Sequence, residues 1–140
     1  MSSYNEIVNK LYLGSASALI HKGMFALIVN CTKSLTGAPG SIRVPIDDDE
    51  SECDNMIKLL RETNVLERIN VALSKGQTVL VHCYAGVQRS CAVVACYLIR
   101  YRQMTPESAI AFIKSKREVA PTRERPAWAS RNDADLRRLL

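Results

Sequence analysis

Val79-Leu80-Val81-His82-Cys83-Tyr84-Ala85-Gly86-Val87-Gln88-Arg89-Ser90 is the stretch from which the rest of the chain can be read. Its opening apolar run predicts a buried strand that ends at His82. After a six-residue turn the sequence becomes apolar again. Cys91 to Ile99 is apolar on every side, which predicts a buried central helix from near Gln88 to near Tyr101. A turn between a buried strand and a buried helix gathers the backbone N–H groups of residues 84–89 at a helix N-terminus. Free amides and the macrodipole there favour an anion. Gly86 lets the turn close without a Cβ clash.

Cys83 falls at the base of that ring of amides. The thiolate is the reactive form of cysteine, and a helix N-terminus or nearby cation lowers its pKa from about 8.5 into the range of about 3.5–7.5. Arg89 adds a planar fork of donors able to grip two oxygens of a phosphoryl group. Ser90 is placed to donate to the sulfur. The binding side of the turn consists of Tyr84, Ala85, Gly86, Val87, Gln88 and Arg89, acting mainly through their amides. His82 reads as a buttress of the turn, with no part in proton transfer. His21 reads as a surface residue. The chemistry requires no metal and no cofactor.

Around this stretch, short apolar runs alternate with helical patterns, which predicts an α/β fold. The expected architecture is a central, mostly parallel sheet of four to five strands flanked by helices. The anion-binding loop lies between the last strand and the central helix. Candidate strands are Glu6–Val8, Leu11–Leu13, Leu27–Asn30, Ile42–Pro45 and Thr78–His82, the first two forming an edge hairpin or one bent strand. Met56, Leu59, Leu60, Leu66, Ile69 and Leu73 predict one long helix from Cys53 to Ser74, closed by Gly76. Thr105 as N-cap, Pro106 at the first helical position and Glu107 in the first turn begin another, running to about Arg117. A last helix is expected over Asp133–Leu140.

A chain of 140 residues without repeats or an evident linker reads as one domain over 1–140. Its longest apolar run is too short to cross a bilayer, and Met1 to Glu6 do not resemble a signal peptide. The cysteines at 31, 53, 83, 91 and 96 are odd in number and lack metal-ligand spacing. That suits a reducing compartment, so the cytoplasm is expected, with the nucleus left open. Residues 1–75 carry 8 Lys/Arg and 9 Asp/Glu, whereas residues 76–140 carry 11 and 5. The basic half that holds the turn would attract phosphorylated ligands, although a merely solvated basic surface has the same composition. No basic stretch is interleaved with aromatics, so nucleic acid binding gains no support.

The string H-C-x-x-G-x-x-R-S, here His82 to Ser90, resembles the phosphate-binding loop of the cysteine-dependent protein tyrosine phosphatase superfamily. It is most similar to that of the dual-specificity phosphatases of the type also found in poxviruses. Glu6 to Ser15, Ala26 to Thr32 and Thr105 to Ile110 are similar to further segments of that family. The resemblance implies a protein phosphatase acting on phosphotyrosine, and on phosphoserine and phosphothreonine, through a phosphocysteine. It also implies a general acid two residues beyond Ile46 at the end of Val44-Pro45-Ile46, which is Asp48, with Asp47 and Asp49 as rivals. The expected partner is a phosphorylated protein, with phosphate or another oxyanion in the loop.

Two departures stand out. Gln88 replaces the small residue common at its position, and Thr122-Arg123-Glu124-Arg125 replaces an expected Asn and apolar residue. Trp128 with Arg123, Arg125 and Arg131 reads as a cap on the core or as a substrate-facing patch. The alternatives are an RNA 5′-triphosphatase, a phosphoinositide phosphatase and a non-catalytic phosphopeptide-binding module. The lack of a lysine in the loop weighs against a phosphoinositide.

Overall fold

The computed structural model describes residues 2–46, 53–119 and 133–140. Five strands form one sheet: β1 (Tyr4–Val8), β2 (Leu11–Gly14), β3 (Leu27–Asn30), β4 (Ile42–Arg43) and β5 (Val79–His82). Their spatial order is β1-β2-β5-β3-β4. β1 and β2 pair antiparallel, which makes them the edge hairpin. The pairs β2–β5, β5–β3 and β3–β4 are all parallel. β5 is thus the middle strand, and all four of its residues are buried. A strand covered on both faces has to be continuously apolar, as Val79-Leu80-Val81 is.

Successive side chains along a strand point to opposite faces. Val79, Val81 and Cys83 accordingly join the large core under the helices, while Leu80 faces a smaller cluster with Ala18, Phe25 and Ile28. That second face is covered by a 3₁₀ segment, Ala16–Met24, which the periodicity of the sequence did not foretell. Tyr4, Tyr12 and Phe25 meet edge-on there, with ring centroids 5.4–5.6 Å apart.

The long helix expected over Cys53–Ser74 is two helices, α1 (Cys53–Thr63) and α2 (Val65–Ser74). Asn64 breaks it in the left-handed conformation, φ 54°. Asparagine tolerates this better than most residues, because its short side chain bonds locally. Here Asn64 Nδ2 donates to Glu67 Oε2 at 2.7 Å. The sequence held a sign of the break, since the apolar series steps by six residues from Leu60 to Leu66. Gly76 closes α2 at φ 75°, as expected.

Helix α3 (Arg89–Tyr101) is buried from Ser90 through Ile99. α4 (Pro106–Lys116) begins with Thr105 as N-cap. Thr105 Oγ1 accepts from the Ser108 amide at 3.1 Å, and Ser108 Oγ accepts from the Thr105 amide at 2.9 Å. This reciprocal box fixes the helix start. α5 (Asp133–Leu139) anchors itself through the fully buried Leu136. β4 ends at Arg43, short of the expected Pro45. The amide of Val44 still reaches the Asn30 carbonyl at 2.9 Å, but proline has no N–H with which to continue.

Candidate active site

The turn after β5 sits at the N-terminus of α3, in the middle of the sheet's C-terminal edge. Its carbonyls are held outward one by one. The Cys31 amide donates to His82 O at 2.8 Å and the Ala16 amide to Tyr84 O at 2.9 Å. Arg117 Nε donates to Gly86 O at 2.9 Å and its Nη2 to Ala85 O at 3.3 Å. With these carbonyls engaged behind the loop, the amides of Gly86, Gln88 and Ser90 turn to the Cys83 sulfur. Gly86 adopts φ 73°, and a Cβ there would lie 2.7 Å from the Ser15 nitrogen and against the Gly14 carbonyl. The loop therefore packs backbone to backbone on the end of β2.

Cys83 is 2% exposed. Its Sγ lies 3.1 Å from Ser90 Oγ and accepts from the Gly86 amide at 3.2 Å. Burial alone would push the thiol pKa up. Hydrogen bonds from the Ser90 hydroxyl and from the amides of Ser90, Gly86 and Gln88 outweigh burial and bring it below the ordinary thiol value. The other buried thiols go the opposite way. Cys91 is pushed up to about 12 by burial and by the Cys83 charge, and Cys96 is raised by burial and by Cys91. Cys31, one register step beyond the Asn30–His82 pair, is raised by burial and by Cys83, with Arg89 acting in opposition. Among the described thiols, Cys83 is thus set apart, its pKa lowered where those of Cys31, Cys91 and Cys96 are raised.

Arg89 is half-buried, and its Nη1 reaches the carbonyl of Ile46 at 3.5 Å. This contact brings the end of Val44-Pro45-Ile46 to the rim of the loop. Asp47, Asp48 and Asp49 lie outside the described residues, as do Thr122, Arg123, Arg125, Trp128 and Arg131. Tyr84, Ala85 and Gln88 are exposed on the rim and Val87 is half-buried. His82 is fully buried, with Nδ1 3.3 Å from the Cys83 carbonyl. Burial lowers its pKa, opposed by the bond to the Cys83 carbonyl. Its Nε2 has no hydrogen-bond partner among the described residues. His21 is exposed, as expected.

The residue that sequence reasoning missed is Arg117, which the sequence marks only as the end of a helix. It is 3% exposed. Besides the two loop carbonyls, its Nη1 donates to Ser2 O at 2.7 Å and to Asn5 Oδ1 at 2.8 Å. It ties β1, the loop and the end of α4 together. An arginine in a basic tail carries no sequence sign of burial, so nothing in the pattern pointed to it.

The family model described as "Dual specificity phosphatase, catalytic domain" matches residues 11–126. A protein of Invertebrate iridescent virus 6 that bears a tyrosine phosphatase name, 123R, is 33% identical over 81% of this chain and 80% of its own length. Human dual specificity phosphatase 28 is also 33% identical, over 81% of this chain and 68% of its own. The crystal structure of human DUSP28 superposes with a TM-score of 0.77 at 28% identity, covering 99% of this chain and 93% of that one. A mouse protein described as a dual specificity phosphatase, solved in complex with zinc tungstate, gives a TM-score of 0.75 at 28% identity over 98% and 86%. The loop geometry, the sheet order and these likenesses agree, and the chain belongs to the dual-specificity phosphatase family of cysteine-dependent protein phosphatases.

Proposed function

We infer that this phosphatase hydrolyses phosphotyrosine, and phosphoserine and phosphothreonine as well, with Cys83 as nucleophile and Asp48 as general acid. The observation that carries this reading is the buried Cys83 sulfur at the N-terminus of α3, with the Gly86 amide at 3.2 Å and the Ser90 hydroxyl at 3.1 Å, which hold its pKa below the ordinary value. Cys83 attacks phosphorus while Arg89 and the amides of residues 84–89 stabilise the equatorial oxygens. The bond to the substrate oxygen breaks, and Asp48 supplies that oxygen with a proton. A positioned acid contributes about 10²–10⁴-fold. Water, deprotonated by the same carboxylate, then attacks the phosphocysteine. The Ser90 hydroxyl, 3.1 Å from Sγ, stabilises the departing thiolate. The approach of Ile46 to Arg89 supports an acid drawn from the residues that follow Ile46.

An open rim favours phosphoserine and phosphothreonine beside phosphotyrosine, because their shorter side chains reach only a shallow phosphate site. Tyr84 is 65% exposed on that rim. Four free thiols among the described residues fit a reducing compartment, the cytoplasm or the nucleus.

The test is hydrolysis of p-nitrophenyl phosphate and of a phosphotyrosine peptide, with reductant and a metal chelator present. Cys83→Ser is expected to abolish both activities. Asp48→Asn is expected to lower turnover of the peptide more than that of p-nitrophenyl phosphate, whose leaving group needs little protonation. Equal activity of Asp48→Asn and wild type on the peptide would transfer the role to Asp47 or Asp49. A folded, reduced wild type inactive on both substrates would overturn the reading.

A further inference from the structure

At the far end of α3 from Cys83, a groove of about 670 Å³ opens where the ends of α1 and α3 meet α5. Its size is that of a ligand-binding cleft. Arg61 from α1, Arg100 from α3, and Arg137 and Arg138 from α5 all line it, and Glu67 is the one acidic side chain among the described lining residues. Glu67 is engaged by Asn64 at 2.7 Å. Arg138 meets Asp135 at 3.1 Å, an exposed pair of the kind that contributes little. Arg137 bonds the Met104 carbonyl through Nη2 at 3.3 Å, but its Nε is buried without an acceptor among the described residues. A favourable interaction with the negative end of α3 would account for Arg100. Arg61, Arg137 and Arg138 likewise lie in the last turns of their own helices, so what remains to explain is that three helix ends bring four guanidinium groups to one groove. With four guanidinium groups and one carboxylate among its described lining side chains, the groove favours an anion.

We propose that this groove is a docking site for an acidic stretch of the phosphoprotein substrate. The half-buried Tyr101, whose ring lies under the Arg100 guanidinium at 4.7 Å, and the apolar Leu139 beside the arginines suit a peptide better than a bare ion. Helix α3 rises about 1.5 Å per residue, so the groove lies roughly 18 Å from Arg89. An extended peptide needs at least about six residues to span that distance. The substrate would thus present its phosphorylated residue to the loop and an acidic tract, about six or more residues away, to the groove. The proposal takes its substrate class from the reading of the catalytic site given above.

The test separates docking from catalysis. A fluorescein-labelled hexaglutamate peptide is titrated into the protein with saturating vanadate present, so that the catalytic loop is occupied. The wild type is expected to bind it, and the Arg61→Glu/Arg100→Glu variant about tenfold or more weakly, the size expected from reversing two exposed charges. In the same variant, kcat/KM for a phosphotyrosine peptide bearing a distal acidic tract is expected to fall through KM. Turnover of p-nitrophenyl phosphate should be unchanged, which also shows that the variant is folded. Equal binding by variant and wild type would overturn the proposal, as would binding of a single-stranded RNA oligomer in place of the peptide. Peptide binding lost in the variant but unaccompanied by any phosphatase activity in the wild type would sink the catalytic reading and leave the acidic-peptide site standing.

Discussion

Arg117 Nε donates to the carbonyl of Gly86 at 2.9 Å, so a buried cation stands directly behind the loop that cradles Cys83. The guanidinium turns two loop carbonyls outward, and its charge and that of the Cys83 thiolate favour each other.

Replacing Arg117 with methionine keeps the bulk and removes every donor. Breaking a buried charged network costs on the order of 3 kcal/mol. The expected result is a clear loss in urea midpoint and a fall in kcat/KM of at least about tenfold. The acidic limb of the pH profile should also move upward, because a cation that favours the thiolate is gone. Lysine should restore part of the charge effect but not the paired carbonyl bonds. A residue that served only as filler would leave the pH profile in place.

Ser90→Ala removes the hydroxyl 3.1 Å from the Cys83 sulfur. That bond lowers the thiol pKa, so its loss raises it. The activity of the variant should approach that of the wild type only at higher pH, as measured by kcat/KM across pH 4.5–8.

The same lowered pKa makes a stability prediction. A group whose folded pKa is depressed adds stability that is complete above its unfolded value, about 8.5 for a thiol, and is lost as the pH falls through the folded value. The stability of the wild type relative to Cys83→Ser should therefore increase as the pH is raised toward 8.5. Comparing the two proteins in urea cancels the opposite contribution of Cys96, which is raised by burial and by Cys91 and not by Cys83.

Asn64 supplies a control far from the chemistry. Alanine in its left-handed conformation costs about 1–2 kcal/mol, whereas glycine is free of that steric cost. Asn64→Ala should lower the melting temperature, Asn64→Gly should lower it less, and p-nitrophenyl phosphate turnover should match the wild type in both.

The course of the chain around Cys83 was legible because burial and turning both leave local marks. Val79 to Val81 could only be an inner strand, Cys91 to Ile99 could only be an inner helix, and six residues between them had to turn. The break at Asn64 left one local mark, the six-residue step from Leu60 to Leu66, which the otherwise helical pattern outweighed. The 3₁₀ segment over Ala16–Met24 left none, because it is fixed by what packs on it from elsewhere in the chain, Leu80 and Tyr12. Arg117 is the extreme example. Its four hydrogen-bond partners lie at Ser2, Asn5, Ala85 and Gly86, all remote in sequence, and no local pattern records them.

Gly14 and Gly86 touch backbone to backbone although about half of the chain separates them in sequence. The phosphate cradle therefore cannot close on its own while the central helix forms. It has to wait until the N-terminal hairpin has docked on β5, a contact whose loop-closure entropy makes it slow. During refolding, helical signal should return before turnover does. The moment at which this enzyme becomes active marks the joining of β2 and β5, the hydrogen-bonded strands furthest apart in sequence.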